Sequence, residues 1–69
     1  MPRYQSALKE YRERAGLSQE ALARQLGVSR QTVVNIERGV NEPRVLLAIA
    51  LGVALGVAVD VLFRKEPTE

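Results

Sequence analysis

Apolar positions recur along the chain in short helical stripes, and glycine or serine stands at the breaks between them. Leu8, Tyr11 and Ala15 follow i, i+3, i+7 spacing, which lays one apolar stripe along a first helix; Tyr4 extends it backward by four residues. Gly16 ends this helix and Leu17 turns back toward the core. Ser18 stands where an N-cap belongs, because its hydroxyl can accept from a free amide two or three residues on. Ala21 occupies the position where a full capping box would carry Glu. Leu22, Ala23 and Leu26 form the inner stripe of a second helix, and Gly27 follows as its C-cap, where left-handed backbone costs glycine no Cβ clash. Val28 fills the corner, Ser29 caps a third helix with Val33 and Ile36 inward, and Gly39 closes it.

Val40-Asn41-Glu42-Pro43 then reads as a loop, with Pro43 suited to the first turn of a fourth helix. From Val45 to Val59 every residue is apolar or glycine; Gly56-Val57 breaks the run, and Val59 to Phe63 makes a short last helix. The pattern predicts an all-α fold of five short helices with no strand, filling a domain over 1–63. A charged tail over 64–69 contains Pro67 and should fray.

Sixty-nine residues fill one domain with a modest core, so a symmetric partner would add stability. The absence of cysteine excludes a disulfide framework and thiolate metal sites, and the absence of histidine removes the commonest general base and zinc ligand. Asp60 and a few Glu are the only carboxylates, none paired at catalytic spacing, and the glycines end helices rather than cradle phosphate. An enzyme is not expected, nor a cofactor or metal. Met1-Pro2-Arg3-Tyr4 runs straight into a charged segment without a leader, which makes a cytoplasmic protein the expectation. Net charge is only +2, but residues 1–44 carry eight Lys/Arg against five Asp/Glu, while residues 45–69 carry two against three. The first part is the one suited to a polyanion.

The stretch from Ser18 to Gly39 carries the functional pattern. Two helices of about two turns, joined by Gly27-Val28-Ser29, make a helix-turn-helix. With Val33 and Ile36 turned inward, the third helix shows Arg30, Gln31, Thr32, Val34, Asn35 and Arg38, a face that fits the major groove of duplex DNA. Arg30 can donate twice to a guanine edge, Gln31 or Asn35 can pair twice with adenine, and Thr32 and Val34 can touch a thymine methyl. Gln19 and Ser29, at helix N-termini, suit backbone phosphate, and Arg38 and Arg44 would add flanking phosphate contacts. Taken alone such a face is an ordinary solvated surface; the motif around it makes it a reading surface.

Several blocks in order resemble the Cro/CI-type (lambda-repressor-like, XRE-family) helix-turn-helix domains. They are Gly16-Leu17-Ser18-Gln19-Glu20, Leu26-Gly27-Val28-Ser29, Ile36-Glu37-Arg38-Gly39, Pro43, and Ala54-Leu55-Gly56-Val57 followed by Leu62-Phe63. The resemblance covers nearly the whole chain. It implies a five-helix bundle with the helix-turn-helix at helices two and three, usually dimeric, with helix three in the major groove. At the matching positions it implies base or phosphate contact for Gln19, Arg30, Gln31, Thr32 and Asn35, and a partly buried ion pair between Arg12 and Glu37.

The fourth helix departs from that pattern. Leu46, Ala50 and Val53 stand at positions that are usually polar, Ala58 replaces a capping serine, and Val61 replaces an acid. A second apolar stripe on a helix already buried on one side needs a partner. A homodimer seam through Leu46, Ala50, Val53 and Val61, a second protein such as a toxin, and a membrane all compete. The membrane is disfavoured, because 15 residues with two glycines fall short of the ~20 a span requires. The expected function is therefore a sequence-specific transcriptional regulator, a repressor acting as a homodimer on double-stranded DNA. An antitoxin-type protein of the same fold, binding a toxin and regulating its own operon, is the alternative.

Overall fold

The computed structural model describes residues 3–65. Its elements run β1 (Tyr4–Ser6), α1 (Leu8–Arg14), α2 (Gln19–Leu26), α3 (Arg30–Glu37), α4 (Val45–Leu55), α5 (Val59–Leu62) and β2 (Phe63–Lys65). Serine caps act at the two places where the sequence offers them. The Ser18 hydroxyl accepts from the Ala21 amide at 3.0 Å, and that of Ser29 from the Thr32 amide at 3.1 Å. Between them Gly27 takes φ 71°, and its amide and that of Val28 bond back to carbonyls of α2. Backbone bonds and the Ser29 cap together hold the tight turn, and it fixes the angle at which α3 leaves α2.

Five helices pack on a core of Leu8, Leu22, Ala23, Val33, Ile36, Leu51 and Leu62, ringed by Leu17, Leu26, Val28, Leu47 and Leu55 among others. All five expected helices form. The expectation of no strand is corrected: the two chain ends pair as an antiparallel ribbon, with Tyr4 opposite Lys65, Gln5 opposite Arg64 and Ser6 opposite Phe63. Tyr4 is therefore not a backward extension of helix one. Its ring is buried and meets Phe63 edge to face, with centroids 5.7 Å apart. Phe63, expected as the end of the last helix, anchors that helix from within β2. Arg64 and Lys65 lie in the ribbon rather than in a frayed tail; residues 66–69 of that tail are outside the described residues.

Two further details differ. Ala15 is exposed beyond the end of α1, and the buried partner of Leu8 on that helix is Arg12. Pro43 precedes the N-cap Arg44 instead of opening α4, which starts at Val45. α4 itself is 11 residues long, and no helix among the described residues is long and apolar enough to cross a membrane.

Gly52 explains how the chain turns from α4 into α5. The Val57 amide donates to the Gly52 carbonyl at 3.0 Å, and a Cβ on Gly52 would stand 2.8 Å from the Val57 carbonyl oxygen. Alanine ordinarily gains ~1 kcal/mol over glycine inside a helix. Here the obstacle is backbone, so Gly52→Ala should instead lose about 1 kcal/mol or more and lower the melting temperature by roughly 4–8 °C for each kcal/mol lost. A variant that melts at the wild-type temperature or above would contradict this account of the turn.

Candidate nucleic-acid interface

α3 has a buried side and an open side. Val33 and Ile36 point into the core, while Arg30, Gln31 and Arg38 are exposed and Thr32, Val34 and Asn35 half-buried. At the open side the Gln31 amide donates to the Asn35 side-chain oxygen at 3.0 Å, so two candidate base-readers one turn apart already hold each other's geometry. Thr32 and Ser29 share a 2.9 Å hydrogen bond between hydroxyls, which commits both to the helix cap. Arg44 is exposed at the N-cap of α4, set apart from the α3 group by the intervening loop.

Behind α3 lies a buried polar junction. Arg12 Nε donates to Glu37 Oε2 at 2.5 Å, and Gln19 Nε2 donates to the other carboxylate oxygen at 2.9 Å. A second nitrogen of Arg12 donates to the Leu17 carbonyl at 2.7 Å. The two charged side chains retain only 9% and 6% of their exposure. One carboxylate at the end of α3 therefore collects α1 and the start of α2, in agreement with the ion pair that the resemblance implied. Gln19 spends one amide hydrogen here and keeps its carbonyl oxygen and second hydrogen for other partners.

Tyr4, which the pattern placed on an apolar stripe, is buried, and it also makes polar contacts that the pattern did not anticipate. Its hydroxyl lies 3.1 Å from the Ile36 carbonyl and 2.6 Å from that of Asn41, joining the ribbon to the end of α3 and to the loop that follows. Burial, and then the nearby Glu42 carboxylate, push this phenol up to about 12. Nothing in the sequence marks which carbonyls a tyrosine will reach.

A second surface lies on α4 and α5. Leu46 and Val53 are 80% and 78% exposed, Val61 is exposed and Ala50 half-buried. Val45, Ile49 and Val59, not anticipated, are exposed with them. Their signal was present as i, i+4, i+8 spacing of Val45, Ile49 and Val53, hidden within an unbroken apolar run. Ile49, Gly52, Val53, Gly56, Val57, Ala58 and Val59 line a shallow groove of about 290 Å³ between the two helices.

Comparison with known proteins places this geometry. The helix-turn-helix family model matches residues 8–62. An uncharacterized HTH-type transcriptional regulator of Methanocaldococcus jannaschii is 42% identical over 62 residues, covering 90% of this chain and 94% of that protein. One from Bacillus subtilis is 50% identical over 44 residues, 64% of this chain and 67% of its own. Among solved structures, the restriction-modification controller protein C.AhdI of Aeromonas hydrophila superposes with a TM-score of 0.69 at 36% identity, over 75% of this chain and 79% of that one. The hypothetical transcription factor NHTF of Neisseria gives 0.68 at 36%, over 77% and 61%.

The buried junction yields a stability prediction. Glu37→Ala strands the Arg12 guanidinium away from water and should cost about 3–5 kcal/mol. Replacing both partners, Arg12→Met with Glu37→Met, removes the stranded charge and should recover much of the loss in urea denaturation. If the double variant is as unstable as Glu37→Ala, the junction is not acting as a desolvated charge pair.

Proposed function

The chain belongs to the helix-turn-helix family of DNA-binding transcription regulators, and we propose that it represses transcription as a homodimer with α3 of each copy in the major groove. It is a regulator and not an enzyme. The observation that carries the reading is the face of Arg30, Gln31, Asn35 and Arg38 on a helix whose other side is locked by Val33, Ile36 and the Glu37 junction. Gln19, Ser29, Thr32 and Val34 border that face, and Arg38 and Arg44 supply flanking charge for phosphate. Arg30 takes a guanine edge, and the Gln31–Asn35 pair presents an amide to adenine.

Homodimer formation accounts for α4. The helix carries no charged residue, its Leu46 is exposed, and its exposed Ile49 and Val53 line the groove toward Val59 on α5. A second copy offers the same apolar face, so a two-fold axis closes the contact without a second kind of partner. Paired reading helices then meet successive major grooves about one DNA turn apart, and a protein seated across them obstructs a promoter.

Arg30→Ala should weaken specific binding by about 1–3 kcal/mol and relax preference at one base pair, read by selection of bound sites from random duplexes. An unchanged selected motif would remove Arg30 from base reading. Val53→Glu should halve the mass seen in light scattering while leaving the helical circular dichroism intact. A wild-type protein that is already monomeric would refute the dimer and leave the stripe to another protein.

A further inference from the structure

The ribbon made by the two chain ends has no part in the reading described so far, yet it is fastened to the reading helix. The Arg3 amide donates to the Gly39 carbonyl at 2.7 Å, directly after α3, and the Tyr4 hydroxyl bridges toward Ile36 and Asn41. Between the ribbon and the loop leading into α4 runs an open groove of about 340 Å³. Among the described residues its lining includes Tyr4, Phe63, Pro43 and Ala48, with Arg3, Arg64 and Lys65 beside the carboxylate of Glu42; Arg64 also borders a second depression that holds Glu10 and Glu13. All three cations are exposed, and among the described residues none of them is in an ion pair. Its lining includes Glu42 and Pro43 of the loop that follows α3, so the groove borders that loop.

We propose that this ribbon is a second, backbone-directed DNA contact, in which Arg3, Arg64 and Lys65 take phosphates beside the groove that α3 reads. The chemistry matches a sugar–phosphate strand, whose deoxyribose faces suit an apolar floor and whose charges suit a cationic rim. Such contacts add affinity and register without base preference. The inference rests on α3 facing DNA, and it moves two of the chain's last described residues from a solvated tail to the binding surface.

The test is the salt dependence of binding to a selected duplex. Each phosphate contact contributes a slope of about 0.9 in log affinity against log salt. The full chain with Arg3→Gln, Arg64→Gln and Lys65→Gln should show a slope smaller by roughly 2–3, at least tenfold weaker binding near physiological salt, and the same selected base motif. A control carrying Lys9→Gln, Arg14→Gln and Arg24→Gln removes equal charge from exposed sites on α1 and α2 and should change the slope by less than about 1. Every substituted side chain is exposed, and the surface pair of Arg14 with Glu10 in the control adds little to stability, so both variants should stay folded at the temperature of the binding assay. Equal slopes for the two variants, or a ribbon variant that binds as the wild type does, overturn the ribbon contact and leave the reading helix standing. A wild type with no salt-sensitive affinity for duplex DNA overturns both.

Discussion

A single buried carboxylate completes the placement of α3, the proposed reading helix, that the Gly27 turn begins. α3 has eight residues, too few to be stable alone in water, and only Val33 and Ile36 are buried on it. Apolar contact is non-directional and would tolerate a range of tilts. Glu37 removes that freedom by accepting from Arg12 on α1 and from Gln19 at the start of α2, two fixed directions that meet at the last turn of α3. A negative charge at a helix C-terminus is unfavourable to the macrodipole, so the guanidinium is required there as well as useful. Apolar residues of equal volume could hold the helices together as firmly. What the ion pair adds is angle, and angle is what the proposed groove reading demands.

α4 poses the opposite problem, with abundant apolar surface and little direction. Leu51 and Gly52 are its buried residues, while Val45, Leu46, Ile49 and Val53 face outward. In an isolated domain of this size such a stripe has no stabilising role and invites association. The contrast with α3 divides the molecule by chemistry, with cations and amides toward the proposed DNA side and aliphatic side chains toward the proposed two-fold. A charged residue within the stripe would blur that division, which gives a physical sense to the substitutions that set α4 apart from the family pattern.

How much of this was legible depended on how local each determinant is. Ser18, Gly27 and Ser29 act over three or four residues, so the caps and the turn could be read directly, and with them the helix-turn-helix and its exposed face. The apolar excess of α4 was equally plain, though an unbroken run has no phase, and Ile49 and Val45 could not be separated from their neighbours. Arg12 shows where periodicity ends: a stripe built from apolar residues put Ala15 inside, whereas the buried position belongs to a cation whose partner lies 25 residues on. That pair came from the family resemblance, not from the pattern. The ribbon left no trace, because strands of three residues are too short for alternation to register and their pairing joins opposite ends of the chain.

That pairing gives the two proposed surfaces a short physical connection. α5, which carries the exposed Val59 and Val61, runs without a break into β2; β2 pairs with β1, and Tyr4 of β1 reaches the Ile36 carbonyl in the last turn of α3. The Ala7 amide closes the same circuit by donating to the Leu62 carbonyl at 2.8 Å. Residues more than 30 positions apart thus meet in one hydrogen-bonded strip, and α3 is held at its last turn by Tyr4 of β1 as well as by Glu37. A helix supported at its last turn in this way can pivot little. The N-terminal turn is held in its own way by the Gly27 turn and the Ser29 cap, so the proposed reading face is fixed at both ends of the helix.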